Sequence, residues 1–192
     1  MPQTDTIISI LTEAIKNPHV FQKLLNLNLY FYNRKHENQI RDEISLVINK
    51  NSNYLAITEH PKNKHGAVDL SLYKLTKEDS SLIATIEFKL HYPKDLAIPA
   101  IQNSIISDLT RSVSNQTSHF VHIIQQRVVH KKPPVGDVKF LQRNSDDIDN
   151  YVHILEKLEK FPSKYTKTRH SITVKSEFIT SIYTFDIYSL IQ

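Results

Sequence analysis

Cysteine is absent from this chain of 192 residues, and glycine occurs only twice, at Gly66 and Gly136. Without cysteine the protein has neither disulfides nor a thiolate metal site, so any metal must bind to oxygen or imidazole ligands. Two isolated glycines exclude a GxGxxG dinucleotide loop and a Walker A loop, because both need several glycines to bring backbone amides close to phosphate. We therefore expect no nucleotide cofactor.

Long apolar runs are missing as well. No run approaches the ~18 residues that a membrane span requires. The N-terminal sequence has no basic n-region and carries Asp5 and Glu13 where a signal peptide is apolar. The histidines form no HxxxH or HExxH pair, which indicates no zinc site, and no G-x-S-x-G elbow supports serine hydrolase chemistry. We expect a cytoplasmic protein with no membrane partner.

The composition of the chain is otherwise that of an ordinary globular protein. Hydrophobic residues make up 40% and charged residues 23%, and 24 basic against 20 acidic residues give a net charge of +4. A mild positive surplus permits a polyanionic partner without indicating one. The length and the lack of a low-complexity linker predict a single domain over residues 1–192.

Helical periodicity dominates the first 50 residues. Apolar residues at a 3.6-residue period predict a helix over residues 4–16, which Pro18 ends, and a second helix from Val20 to Leu29. A third helix is predicted over residues 37–49. Its apolar stripe consists of Ile40, Ile44, Val47 and Ile48.

Strand-like patterns follow. The short apolar run Tyr54–Thr58 precedes a charged loop, and the segments Ala67–Leu75 and Leu82–Tyr92 alternate between apolar and polar residues. Short links between the three segments predict an antiparallel meander. A helix that begins at Pro99 leads to the apolar run Phe120–Ile124, which we expect to be a buried strand parallel to an earlier one.

The C-terminal third is predicted to add a helix over Asp146–Phe161 and a closing hairpin formed by Ser171–Lys175 and Ser181–Tyr188. The fold class is therefore α/β (α+β), with an αβββαβ core and a mixed central sheet. The core spans about residues 37–125, between an N-terminal helical region 1–30 and a C-terminal extension 137–192.

Two short strings on the second and third predicted strands carry candidate chemistry. GAVDLSL contains Asp69, and 18 positions later IEFKL contains Glu87, followed by Lys89. Residues two apart on a strand project from the same face, so Glu87 and Lys89 lie together. Asp69 lies on the polar face of the adjacent strand. Two carboxylates with water or carbonyl oxygens suit Mg²⁺, with Mn²⁺ able to substitute.

This pattern resembles the PD-(D/E)XK nuclease superfamily, in which an Asp on the second strand precedes an acidic-x-Lys triplet on the third. The resemblance covers about residues 37–125 and includes the order of elements, with Val68 where the family motif has proline. It implies a restriction-endonuclease-like fold and metal-dependent hydrolysis of DNA. Asp69 and Glu87 would be metal ligands and Lys89 the third catalytic group.

A further acidic residue on the upstream helix often completes the site of this family. On a helical wheel Glu37 falls inside the apolar stripe, whereas Glu43 falls at its border. A carboxylate inside an apolar stripe is costly to bury unless something pairs with it, and a metal site would do so. We favour Glu37 as a catalytic residue and metal ligand and hold Glu43 in reserve. The alternative for Glu37 is an acid facing the helix macrodipole.

Several other residues are weaker candidates. The basic loop containing Lys62, Lys64 and His65 precedes Asp69 and could contact a phosphate backbone, although a solvated loop is an equal alternative. On the helix after Pro99 the candidates are Gln102, as a substrate contact, and Asp108. His122 is expected to be a core histidine.

The sequence thus predicts a Mg²⁺-dependent endonuclease acting on DNA in restriction, host defence or repair, with homodimer formation left open. Its first rival is an inactive module of the same fold that binds nucleic acid or a protein. Its second is an α+β interaction domain whose Glu-x-Lys triplet is a solvated strand face.

Overall fold

The computed structural model describes residues 2–31, 34–51, 53–62, 66–113, 118–131, 148–158, 161–162 and 164–190. Within them the chain forms five α-helices, a short 3₁₀ helix at Pro93–Ala97, and six strands. The helices are α1 (Pro2–Ile15), α2 (Pro18–Tyr30), α3 (Glu37–Asn49), α4 (Pro99–Val113) and α5 (Ile148–Glu156). The strands are β1 (Tyr54–Lys62), β2 (Gly66–Leu75), β3 (Ser80–His91), β4 (Ser118–Val129), β5 (Tyr165–Lys175) and β6 (Ile179–Leu190).

All six strands form one mixed sheet in the order β1-β2-β3-β4-β6-β5. The pair β3–β4 is parallel and the other neighbouring pairs are antiparallel. A parallel pair needs a crossover connection, and α4 provides it between β3 and β4. The predicted meander of β1, β2 and β3 and the predicted parallel strand β4 are therefore confirmed. The protein is a mixed α/β protein.

Helices cover both faces of the sheet. The helices α1, α2 and α3 pack on one face around a large cluster that includes Ile40, Ile44, Ile86, Phe88 and Leu90. The helices α4 and α5 cover the other face with a smaller cluster that includes Ile105, Leu109, Phe120, Ile124 and Leu155. Alternation along β3 thus sends Phe88 into the first cluster and leaves Glu87 and Lys89 on the side of α4. No described helix is long and apolar enough to cross a membrane.

Four strands, β1, β4, β5 and β6, extend beyond their predicted limits. The first strand does not end at Thr58, because His60, Pro61 and Lys62 pair with residues 66–68 of β2. The fourth strand runs from Ser118 to Val129, since its polar second half pairs with β6 along its whole length. The predicted closing hairpin is longer than expected, and β6 joins the central sheet beside β4. Of the predicted helix Asp146–Phe161, the structure describes Ile148–Glu156 as helical.

Candidate active site

Two carboxylates lie where β2 separates from β3. The β2–β3 ladder runs from Leu70 to Leu75 on β2, so the backbone amides of β3 beyond Ile86 lack a partner strand on that side. Asp69 Oδ2 accepts a hydrogen bond from the amide of Phe88 at 2.8 Å. Glu37 Oε2, from the first turn of α3, accepts one from the amide of Leu90 at 2.5 Å. The free edge of β3 therefore binds Asp69 at the residue before Lys89 and Glu37 at the residue after it.

Glu87 lies beside Asp69 on this opening. Burial, together with the charge of Asp69 and its hydrogen bond to Glu87, raises the pKa of Glu87 to about 7, while Lys89 acts in the opposite direction. Burial also raises the pKa of Glu37, against the stabilising amide of Leu90 and the nearby charge of Lys89. Crowded carboxylates of this kind are costly without a cation, and they are typical of functional sites.

Lys89 is held from the side of α4. Its Nζ lies 3.6 Å from Oδ2 of Asp108, whose side chain is buried at 7% exposure, while the Lys89 side chain is 30% exposed. The ammonium therefore contacts α4, and part of the Lys89 side chain is open to solvent. Asp108 was a weak candidate from sequence, and the structure makes it the ionic partner of Lys89.

Arg41 belongs to the same cluster, although sequence reasoning did not select it. Its guanidinium lies 3.5 Å from Asp69 Oδ1, 3.1 Å from Glu59 and 2.9 Å from Asp42, and its side chain is only 5% exposed. Arg41 follows Glu37 by one helical turn, so both side chains leave α3 on one side. That spacing, together with the position of Arg41 beside the buried Ile40, is the signal that could have identified it.

The backbone of β1 bends next to this cluster. Glu59 has φ 50°, in the left-handed region that disfavours residues with a Cβ. The β1–β2 ladder skips the pair Glu59 and Asp69, so both residues sit at the same irregularity. The bend directs the Glu59 carboxylate to Arg41, which in turn contacts Asp69.

The donor set fits a divalent cation bound by few protein ligands. Among the residues that the structure describes, no group of three or more histidine, aspartate and glutamate side chains is arranged to hold a metal ion. Mg²⁺, however, keeps several waters and is commonly bound by one or two carboxylates together with substrate phosphate. Asp69 and Glu87 meet that requirement. Glu37 and Asp69 each use one oxygen on a β3 amide and retain further acceptor capacity.

The remaining candidates lie elsewhere or outside the described residues. Gln102 is buried, and its amide donates to the carbonyl of Leu96 at 2.7 Å, a structural bond between α4 and the 3₁₀ helix. Lys64 and His65 fall outside the described residues, as does the side chain of Lys62, whose backbone ends β1. His122 is fully buried and hydrogen-bonded to His91 at 3.1 Å, as a core histidine.

Comparisons of the chain with protein-family models, with curated proteins and with solved structures found no match.

Proposed function

We propose that this protein is a Mg²⁺-dependent endonuclease that hydrolyses phosphodiester bonds in DNA, built on a restriction-endonuclease-like core over about residues 37–125. The observation that carries the proposal is the meeting of Asp69 and Glu87 beside Lys89 where β2 leaves β3. The pattern of antiparallel β1–β2–β3, crossover helix α4 and parallel β4 supports the same core.

Asp69 and Glu87 would bind the metal, and Glu37 would lie beside them as the third acid. The metal, when bound, would polarise the scissile phosphate and offset its negative charge. Each protein group then has a distinct part. Arg41 orients Asp69 through the 3.5 Å contact, and the amide of Phe88 fixes the other oxygen of the same carboxylate. Both restraints favour a site that is already in place before substrate binds.

Lys89 supplies the remaining charge. Asp108 restrains its ammonium, which faces the same side of the sheet as Glu87. There Lys89 orients the attacking water and stabilises negative charge that develops on the phosphoryl oxygens. In the reaction a P–O bond forms to water and the P–O bond to the leaving strand breaks. One strand end keeps the phosphate and the other receives a proton and becomes a hydroxyl.

The test separates turnover from binding at Lys89. A lysine that only contacts phosphate contributes to affinity and to its salt dependence, whereas a lysine that acts in the transition state contributes to turnover. We expect Lys89→Ala to bind a duplex oligonucleotide in Ca²⁺ within about threefold of wild type. In Mg²⁺, titrated to saturation, its cleavage should fall about 100-fold or more.

The rival functions predict different results. An inactive binding module would never cut single- or double-stranded DNA or RNA in Mg²⁺ or Mn²⁺, and Lys89→Ala would simply bind less. A plain interaction domain would bind no nucleic acid, with or without Lys89. Either result would remove the endonuclease proposal.

A further inference from the structure

The C-terminal end of α2 exposes aromatic rings that a folded protein normally buries. Tyr30 is 71% exposed and Phe31 is 46% exposed, although Phe88 and Phe120 lie fully in the core. Rings at the surface expose a large apolar area to water and give neighbouring molecules a flat face for stacking. These two rings are adjacent in sequence at the end of the helix, and both are exposed.

Cations follow the rings directly. The amide of Arg34 donates to the carbonyl of Phe31 at 3.0 Å, a turn that keeps Arg34 close to the rings. Arg34 and Lys35 are exposed, and Lys35 Nζ lies 3.9 Å from Asp95. From Ala14 to His36 the chain contains no acidic residue, while Lys16, Lys23, Arg34 and Lys35 are basic. The exposed rings are therefore followed by a basic stretch of sequence, in which Lys35 pairs with Asp95.

The residues that follow α2 lead to the candidate active site, since Lys35 lies two residues before Glu37. Asn28, in the last turn of α2, donates to the carbonyl of Ile179 at 3.0 Å, which fixes the helix end at the start of β6. Since β6 is antiparallel to β4 and β4 is parallel to β3, the start of β6 lies toward the same end of the sheet as the end of β3. Lys35 Nζ lies 3.9 Å from Asp95, just after β3, and its charge lowers the pKa of both Glu37 and His91.

We propose that Tyr30 and Phe31, with Arg34 and Lys35, form a binding surface for an unpaired stretch of nucleic acid beside the scissile phosphate, an inference that rests on the proposed endonuclease function. Bases of an unpaired strand stack on the two rings, and the flanking phosphates pair with the two cations. A continuous duplex keeps its bases stacked inside the helix and gains little from the rings. The favoured substrate therefore contains single-stranded DNA next to the cleaved bond, as in a flap, a gap or a frayed end.

The test compares the rings with another exposed ring on the same helix. Phe21 is 43% exposed near the start of α2 and provides the control variant Phe21→Ala. Fluorescence anisotropy in Ca²⁺ measures binding to a labelled thymidine oligonucleotide of about 12 nucleotides and to a blunt duplex of the same length. We expect the double variant Tyr30→Ala/Phe31→Ala to bind the single strand about tenfold more weakly and the duplex within about twofold of wild type. Phe21→Ala should match wild type on both probes.

Two results would overturn this assignment. In the first, the double variant binds the single strand with the affinity of wild type. In the second, Phe21→Ala loses as much affinity for the single strand as the double variant does. A wild-type dimer that becomes a monomer on loss of the two rings, measured by sedimentation, would show instead that the surface joins two copies of the chain.

A cleavage assay in Mg²⁺ distinguishes failure of the binding-surface proposal from failure of the proposed endonuclease function. A wild type that cuts DNA, with a double variant of normal affinity, removes the surface and leaves the endonuclease. A wild type that binds single strands through the rings and never cuts removes the endonuclease and leaves the surface. No binding of either probe by the wild type removes both.

Discussion

At the scale of single residues, the candidate site combines charged groups whose surroundings oppose their ordinary charge. Burial and the neighbouring Asp69 raise the pKa of Glu87 to about 7, so the metal-free site holds negative charge under strain. Such a carboxylate contributes little to stability in its ionised form, and removing its charge relieves repulsion. A residue with a purely structural role would behave in the opposite way.

Glu87→Gln should therefore separate activity from stability. We expect Mg²⁺-dependent cleavage to fall about 100-fold or more, because a metal ligand is lost. In EDTA at pH 8 the free energy of unfolding should stay equal to that of wild type or rise by about 1 kcal/mol. Gel assays of cleavage and urea unfolding measure the two quantities. Loss of several kcal/mol of stability, with cleavage retained, would make Glu87 a structural residue.

How far the sequence predicts this site is clearest at individual residues. Alternation along β3 places Glu87 and Lys89 on one face whatever the sheet around them, and the wheel position of Glu37 separates it from Glu43. Arg41 was not selected and Asp108 was only a weak candidate, because their roles depend on partners brought together by tertiary packing, Asp69 for Arg41 and Lys89 for Asp108. The spacing of residues in the sequence does not indicate where the β2–β3 ladder ends.

At the scale of elements, strand periodicity and crossover length predict the β1–β4 core, while long-range pairing decides the rest. The polar half of β4 has no strand pattern of its own, and it extends because β6 returns to pair with it. The link between β1 and β2 shows the same effect. His60–Lys62 have the composition of a loop, yet they pair with residues 66–68. Within β1, Glu59 adopts φ 50° beside Asp69.

That positive φ predicts an unusual order of stabilities at position 59. Glycine in a strand is normally less stable than alanine by about 0.5–1 kcal/mol. At a left-handed position the order reverses, because alanine carries a Cβ that the conformation disfavours. We expect Glu59→Gly to be more stable than Glu59→Ala by about 1 kcal/mol in urea unfolding. Both variants lose the contact with Arg41, so its contribution cancels. The normal order would contradict the left-handed geometry.

At the scale of the whole molecule, buried histidines link folding to pH. Burial lowers the pKa of His36, His91 and His119 to about 4, and it lowers the pKa of His122 well below its ordinary value. Between pH 6.5 and about pH 4 these histidines bind protons in the unfolded chain but not in the folded chain. Their contribution to stability is therefore present above pH 6.5 and is lost as the pH falls toward 4. Glu87 acts oppositely between about pH 4.5 and 7. Glu37, whose pKa is also raised, acts in the same direction as Glu87. The four histidines outweigh these two carboxyls, and we expect the stability of the protein to fall in acid.

His119 isolates one part of this dependence. Neither of its ring nitrogens has a hydrogen-bond partner within the described residues, and burial alone lowers its pKa to about 4. His119→Leu should reduce the stability lost between pH 7 and pH 5 by about 2 kcal/mol, which is the part of the effect of a pKa shift from 6.5 to about 4 that falls within this pH range. The exposed His153, changed to Gln, is the control and should leave the profile unchanged. Parallel profiles for His119→Leu and wild type would show that His119 titrates normally in the folded protein.

The central claim is that Asp69 and Glu87 bind a divalent cation at the opening between β2 and β3. A crystal soaked in Mn²⁺, with anomalous diffraction recorded at the manganese edge, tests it most directly. We predict an anomalous peak at about 2.0–2.3 Å from one oxygen of Asp69 and one of Glu87, with Lys89 Nζ close by and outside the coordination shell. The peak should vanish in Glu87→Gln. A soaked crystal with no peak between these carboxylates, or with the same peak in Glu87→Gln, would contradict the claim.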